Sequence, residues 1–164
     1  MGLQILGIGH AVPKQVVTND DLAMLVDTSD EWIVSRTGIH TRHLAKEESN
    51  TSLALTAAQE AIKQAGIHPR QIGVCIVATI SPDQLIPAEA CVLAGMLSLP
   101  SDAICFDLNA ACSGFIYAVS YTHLQLFLYL YTATFHIRLQ KYILNYIVQP
   151  TCQTSSVYLA PNNY

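Results

Sequence analysis

Ala103-Ile-Cys-Phe-Asp-Leu-Asn109 runs without a break into Ala110-Ala111-Cys112-Ser113-Gly114-Phe115-Ile116-Tyr117-Ala118. The first half is a short apolar run of the kind found in strands covered on both faces. The second half puts small residues first and an apolar pattern of helical period after them. A strand therefore hands over directly to a helix. The same sequence of events occurs upstream. Ile72-Gly-Val-Cys-Ile-Val-Ala-Thr79 is a near-continuous apolar run rich in β-branched residues, and after Pro82 and Pro87 the segment from Ala88 to Leu97 reads as a helix. Strand, helix, strand, helix predicts parallel βα units with helices on both faces of the sheet. The fold class is α/β.

Working outward, Leu3-Gln-Ile-Leu-Gly-Ile-Gly9 reads as a first strand ending in glycines, with a turn at Pro13. Thr18-Asn19-Asp20 is a helix start before Leu22, Met24, Leu25 and Val26, and Ser29-Asp30-Glu31 is a second, leading Trp32-Ile33-Val34 to a stop at Gly38. Ala54, Ala57, Ala58, Ala61, Ile62 and Ala65 recur at helical spacing and are closed by Gly66 with Pro69 beyond.

Length and composition bound the function. A chain of 164 residues holds one domain with its own core, and a formal charge of −4 points to neither nucleic acid nor an anionic membrane as a partner. The start, Met1-Gly2-Leu3-Gln4-Ile5, lacks the basic and long apolar regions of a signal peptide, so a cytoplasmic enzyme is expected. The cysteines Cys75, Cys91, Cys105, Cys112 and Cys152 have neither disulfide-framework nor zinc-ligand spacing, and no metal is expected. Cys75, Cys91 and Cys105 read as core packing.

The chain changes character near residue 120. All 12 acidic residues lie between Asp20 and Asp107 and all 8 glycines between Gly2 and Gly114, whereas seven of the 8 tyrosines lie from Tyr121 onward. Globular surfaces and turns need both acidic residues and glycine. Residues 1–120 and 121–164 thus have different histories. The tail is expected to be disordered or the product of a frameshift or premature join. Its apolar stretch, Leu124 to Phe135, is too short to span a membrane before His136, Arg138 and Lys141 interrupt it.

Cys112 departs from core packing by its position. Ligands of open α/β sheets bind at the carboxyl ends of strands. Backbone N–H groups opening the next helix favour a thiolate there, and small neighbours leave room for a substrate. Spacing alone leaves both a nucleophile and a packing cysteine open.

Asp107-Leu-Asn-Ala-Ala-Cys112-Ser-Gly-Phe-Ile-Tyr-Ala118 resembles the active-site segment of the β-ketoacyl-ACP synthase III family, and Asp27-Thr28-Ser29-Asp30-Glu31-Trp32-Ile33-Val34-Ser35-Arg36-Thr37-Gly38-Ile39 resembles its CoA-site segment. The resemblance runs from about Leu3 to Ser120. It implies a thiolase-like fold made of two similar halves, of which residues 1–120 are the first. It implies an acyltransferase that condenses acetyl-CoA, or another short acyl-CoA, with malonyl-ACP through an acyl-cysteine at Cys112. Covalent capture splits one hard condensation into two easier steps.

Carried over by motif, Trp32 stacks on the adenine of CoA, Thr28 and Arg36 contact the nucleotide end, and Ile86 lies near the acyl pocket. The plain alternatives are core packing for Trp32 and Ile86, a helix cap for Thr28, and a solvated helix end for Arg36. The resemblance implies no cofactor beyond the substrates, acyl carrier protein as partner, and a homodimer for the full-length enzyme.

The family's enolate-stabilising His and Asn belong to motifs that this sequence does not contain. His10, His40, His43, His68, His123 and His136 stand in none of them, and His40 and His43 are expected to face solvent. The chain is therefore expected to be truncated and inactive alone, with an uncovered sheet edge. Two other readings remain: a related condensing enzyme of polyketide or secondary metabolism, and a non-catalytic fragment that binds CoA or a partner. A redox protein fits poorly, because Cys112 has no resolving cysteine at useful spacing.

Overall fold

The computed structural model describes residues 5–121 and the backbone of residues 156–161. Its centre is a three-stranded sheet in the order β4-β3-β5, formed by β3 (Ile72–Ala78), β4 (Ile104–Leu108) and β5 (Ser156–Pro161). β3 and β4 are parallel, with Cys75 opposite Cys105 and Val77 opposite Asp107. β5 runs antiparallel to β3 on its other side. The sheet is mixed, as expected of a parallel-rich fold carrying one reversed strand.

Helices cover both faces. α3 (Asn50–Ala65) and α4 (Glu89–Met96) pack on one face, where Ala57, Ala58, Ala61, Cys75, Val77, Ala90 and Leu93 are all fully buried. The alanine stripe of α3 places its backbone close to its neighbours. On the other face, helical backbone over residues 114–121 (α5) buries Ala118 against Ile76 and Ala78, with Phe106, Leu108 and Phe115 packed around them. A Cβ at Gly114 would lie 3.1 Å from the Cβ of Ala78, so a glycine lets α5 close onto β3. Tyr121, placed in the tail by the sequence reading, still has helical backbone and meets Phe106 edge-on, with ring centres 5.0 Å apart.

A second, two-stranded antiparallel sheet pairs β1 (Gln15–Thr18) with β2 (Thr41–Leu44). Between these strands lie α1 (Asn19–Ala23) and α2 (Asp30–Thr37). Thr18 and Ser29 cap them, as the start signals predict, and Gly38 ends α2 in the left-handed conformation at φ 69°. α1 stops at Ala23, leaving Met24, Leu25 and Val26 exposed rather than on a helix face.

One expectation needs correction. The first strand, expected over residues 3–9, is absent over residues 5–9. β3 has a strand on each side, and residues 5–9 lie instead on α3. A Cβ at Gly9 would fall 1.9 Å from Ala57 O and one at Gly7 2.2 Å from Ala61 O, so the glycines serve that close approach. Ile8 N donates to Gln64 Oε1 and His10 N to Glu60 Oε2, which satisfies backbone groups a strand would have paired. The backbone of Ser156–Pro161 lies along the open edge of β3. The apolar stretch from Leu124 to Phe135 lies outside the described residues. Among the described residues, no helix is long and apolar enough to cross a membrane.

Candidate active site

β4 ends at Leu108, and the chain turns through Asn109 and Ala110 into a 3-10 turn over Ala111–Ser113 before α5 begins. Ala111 has φ 45°, a left-handed conformation that costs a residue with a Cβ about 1–2 kcal/mol. Strain of this kind persists only where the surroundings impose it. Here the turn is closed by Ser113 N donating to Ala110 O at 2.9 Å, and by Gly114 N donating to Ala111 O. The result is an exposed Cys112 at the carboxyl end of β4. The ends of β3 and β4 are joined by Thr79 N donating to Leu108 O at 3.2 Å, so the loop after β3 leaves the sheet beside the cysteine turn.

Carboxylates anchor that loop. Asp83 accepts from Asn50 N and Thr51 N, both at 2.9 Å, tying the loop to the start of α3. Partial burial opposes ionisation of Asp83, but the hydrogen bonds from Thr51 and Asn50 outweigh it and hold its carboxyl below the usual range. Asp107, on β4, accepts Glu89 N at 2.7 Å and Ala90 N at 2.8 Å, capping α4 from a neighbouring strand. Glu89 is 1% exposed. Its Oε2 accepts from Asn50 Nδ2 at 2.8 Å, while its Oε1 has no partner among the described residues. Burial pushes the Glu89 carboxyl up; the hydrogen bond from Asn50 opposes this, and the nearby Asp83 and Asp107 add to it.

Ile86 lies on this loop and is 89% exposed, next to Leu85 at 86%. Core packing is therefore not its role in this chain. The structure brings the Ile86 loop and the Cys112 turn to the same end of the sheet. Trp32, Arg36 and Thr28 are on different elements, α2 and the link before it, and α2 packs chiefly on α1.

Trp32 is 54% exposed, which overturns its core alternative. Its ring is flanked by the Arg36 guanidinium at 4.4 Å, and Arg36 Nη1 also donates to Trp32 O at 3.5 Å. The pair forms a cationic, aromatic platform one helical turn long. The cap of α2 is Ser29, not Thr28, which lies half-buried one residue earlier.

Cysteine chemistry adds what the sequence reading missed. Cys75 is buried as expected, but Cys91 is exposed and Cys105 half-buried. The parallel register sets Cys75 opposite Cys105 on adjacent strands. The neighbouring Cys75 thiol lowers Cys105 to about 7 against the opposing effect of burial, while Cys105 and burial push Cys75 well up. The matching register of the two strand motifs was the available signal. His43 also departs from expectation: it is half-buried, with Nδ1 2.6 Å from Pro13 O. Among the described residues no group of His, Cys, Asp and Glu has metal-binding geometry.

No protein-family model matches the chain. Over 118 residues, 71% of its length, it is 52% identical to the β-ketoacyl-[acyl-carrier-protein] synthase III of Methylococcus capsulatus. The chain is homologous to the amino-terminal part of β-ketoacyl-ACP synthase III. The synthase III of Aquifex aeolicus is 47% identical over 119 residues, 73% of this chain. The chain spans 38% and 36% of the lengths of these two curated relatives.

Solved structures agree on the fold. The crystal structure of 3-oxoacyl-[acyl-carrier-protein] synthase III from Aquifex aeolicus overlays with a TM-score of 0.79 at 32% identity, covering 99% of this chain and 54% of that one. A priming β-ketosynthase of the R1128 polyketide pathway overlays at 0.76 with 23% identity, covering 98% of this chain and 50% of that one, a likeness of fold alone. The thiolase-like α/β architecture expected of a synthase III is thus the observed one.

Proposed function

We propose that this chain supplies the nucleophile and the CoA-binding segment of a β-ketoacyl-ACP synthase III. The observation that carries the reading is the strained turn at Ala111, which holds Cys112 exposed at the carboxyl end of β4. In the first step the Cys112 thiolate attacks the carbonyl of an acyl-CoA thioester. A new C–S bond forms, the bond to CoA breaks, and CoA leaves as a thiolate that takes up a proton. Trp32 stacks on the adenine, and Arg36 and Thr28 meet the nucleotide end. Ile86 borders the acyl group.

In the second step, malonyl-ACP loses carbon dioxide and its carbanion attacks the thioester carbonyl on Cys112; a C–C bond forms, the C–S bond to Cys112 breaks, and the cysteine leaves as a thiolate. The product is β-ketoacyl-ACP, the starting unit of a fatty acid. Acyl carrier protein is the partner of this step, and the full-length enzyme is a cytoplasmic homodimer. The chemistry needs no bound cofactor, because thiolate and thioester are reactive enough by themselves. The His and Asn that stabilise the enolate stand in no motif of this sequence. Removing one such preorganised donor typically costs about 10²–10³ in rate, so this chain alone makes no β-ketoacyl product.

The test is release of CoA thiol on mixing the 164-residue chain with acetyl-CoA. The reading expects release of one equivalent at most, lost in Cys112→Ala, with no product on adding malonyl-ACP. Release that survives Cys112→Ala contradicts it.

A further inference from the structure

We propose that the buried amide of Asn19 is a positioning residue for CoA, acting by fixing both ends of the helix that carries Trp32 and Arg36. The inference rests on reading Trp32 and Arg36 as the CoA platform. Helix α2 has eight residues and buries only Ile33. A helix this short is marginal by itself, and one buried side chain leaves its direction poorly determined. Something other than apolar packing must hold the platform in place.

Asn19 meets that need. It is 1% exposed, and its Nδ2 donates to Asp30 Oδ1 at 2.7 Å and to Ile39 O at 2.8 Å. Asp30 opens α2, and Ile39 lies just beyond Gly38, which ends it. One amide thus grips both ends of the helix. On its other side Asn19 Oδ1 accepts from Arg42 Nη2 at 2.6 Å, and Arg42 Nη1 donates to Thr18 O at 3.4 Å. Arg42 belongs to β2, so the grip is referred to the β1–β2 hairpin. Every polar group of the Asn19 side chain is used, and removing it leaves Asp30, Ile39 O and Arg42 without this partner. Trp32 and Arg36 lie between the two gripped ends and move with them.

The experiment exploits the fact that Trp32 is the single tryptophan, so its fluorescence in the 164-residue chain reports this helix alone. CoA is titrated against the wild type, Asn19→Ala, Asn19→Asp, and the exchange pair Asn19→Asp with Asp30→Asn. The exchange pair rebuilds the bond to residue 30 with donor and acceptor swapped, while the carboxylate at 19 can no longer donate to Ile39 O. Asn19→Ala and Asn19→Asp are expected to weaken CoA binding by roughly tenfold or more. The exchange pair is expected to recover the part of that loss owed to the residue 30 end of the helix and to leave the part owed to Ile39 O. Iodoacetamide labelling of Cys112, on a separate element, is expected to stay unchanged in all of them.

Asn19→Ala binding within twofold of wild type overturns the proposal. So does an exchange pair that binds CoA no better than Asn19→Asp alone, or a loss matched by altered Cys112 labelling, since either is a merely structural effect. Where Asn19→Ala does not fold, Asn19→Asp against the exchange pair decides. Failure of the underlying reading looks different: calorimetry then finds no CoA binding by the wild type, or equal binding by Trp32→Ala.

Discussion

Asp107 Oδ2 accepts the backbone N–H of Glu89 at 2.7 Å, so the strand that leads to Cys112 also caps the helix that follows the Ile86 loop. Its second oxygen takes Ala90 N, which makes Asp107 an N-terminal cap supplied from another element. The capping position itself, Ala88, has no side chain able to do this. Asp107→Ala should therefore cost about 1–2 kcal/mol, the range of lost helix caps. Urea denaturation measures it. Asp107→Asn, which keeps one acceptor, should lose less, and an alanine variant as stable as wild type would contradict the cap.

Glu89 predicts a pH dependence. Burial raises its folded-state pKa above that of the unfolded chain, so the folded state holds the proton more tightly. The stability it contributes is complete below the unfolded value, about pH 4.3, and is lost as pH rises through the folded value. Glu89→Gln abolishes this loss while keeping an oxygen for Asn50. The variant should melt higher than wild type at pH 7, with the gap closing near pH 4. A gap that persists unchanged at pH 4 would show that packing, not ionisation, separates the two proteins.

The thiols give a third prediction. With Cys105 held at about 7, its alkylation by iodoacetamide should rise through neutral pH, while fully buried Cys75 stays unlabelled. Cys75→Ala removes the neighbouring thiol that lowers Cys105 and should slow labelling of Cys105 at pH 7. Peptide mapping separates it from Cys112. Labelling of Cys105 unaffected by Cys75→Ala would remove the thiol pair as its cause.

The elements most legible in the sequence were those with their own punctuation. Thr18, Ser29 and Gly38 bound α1 and α2 as written, and the two apolar runs became adjacent parallel strands. Residues 5–9 misled because glycines and β-branched neighbours read as a strand, whereas those glycines serve contact with α3. Sequence period carries no information about which backbone will approach a glycine. Cys112 was placed by its strand-to-helix position, but the strain at Ala111 is visible only in φ. Cross-strand and long-range partners, such as Asp107 for α4 or Asn19 for both ends of α2, join residues whose spacing obeys no local period.

The most direct measurement is the site of acyl transfer. The 164-residue chain, incubated with isotope-labelled acetyl-CoA, is digested at acidic pH, where thioesters survive, and mapped by mass spectrometry. Five cysteines compete, among them Cys105 with its favoured thiolate, so the outcome is informative. The label is expected on Cys112 alone, discharged by neutral hydroxylamine as a thioester must be, and absent from Cys112→Ala. Label on Cys105 or Cys91 in place of Cys112, or none on any cysteine while CoA remains bound at Trp32, would contradict Cys112 as the acyl acceptor.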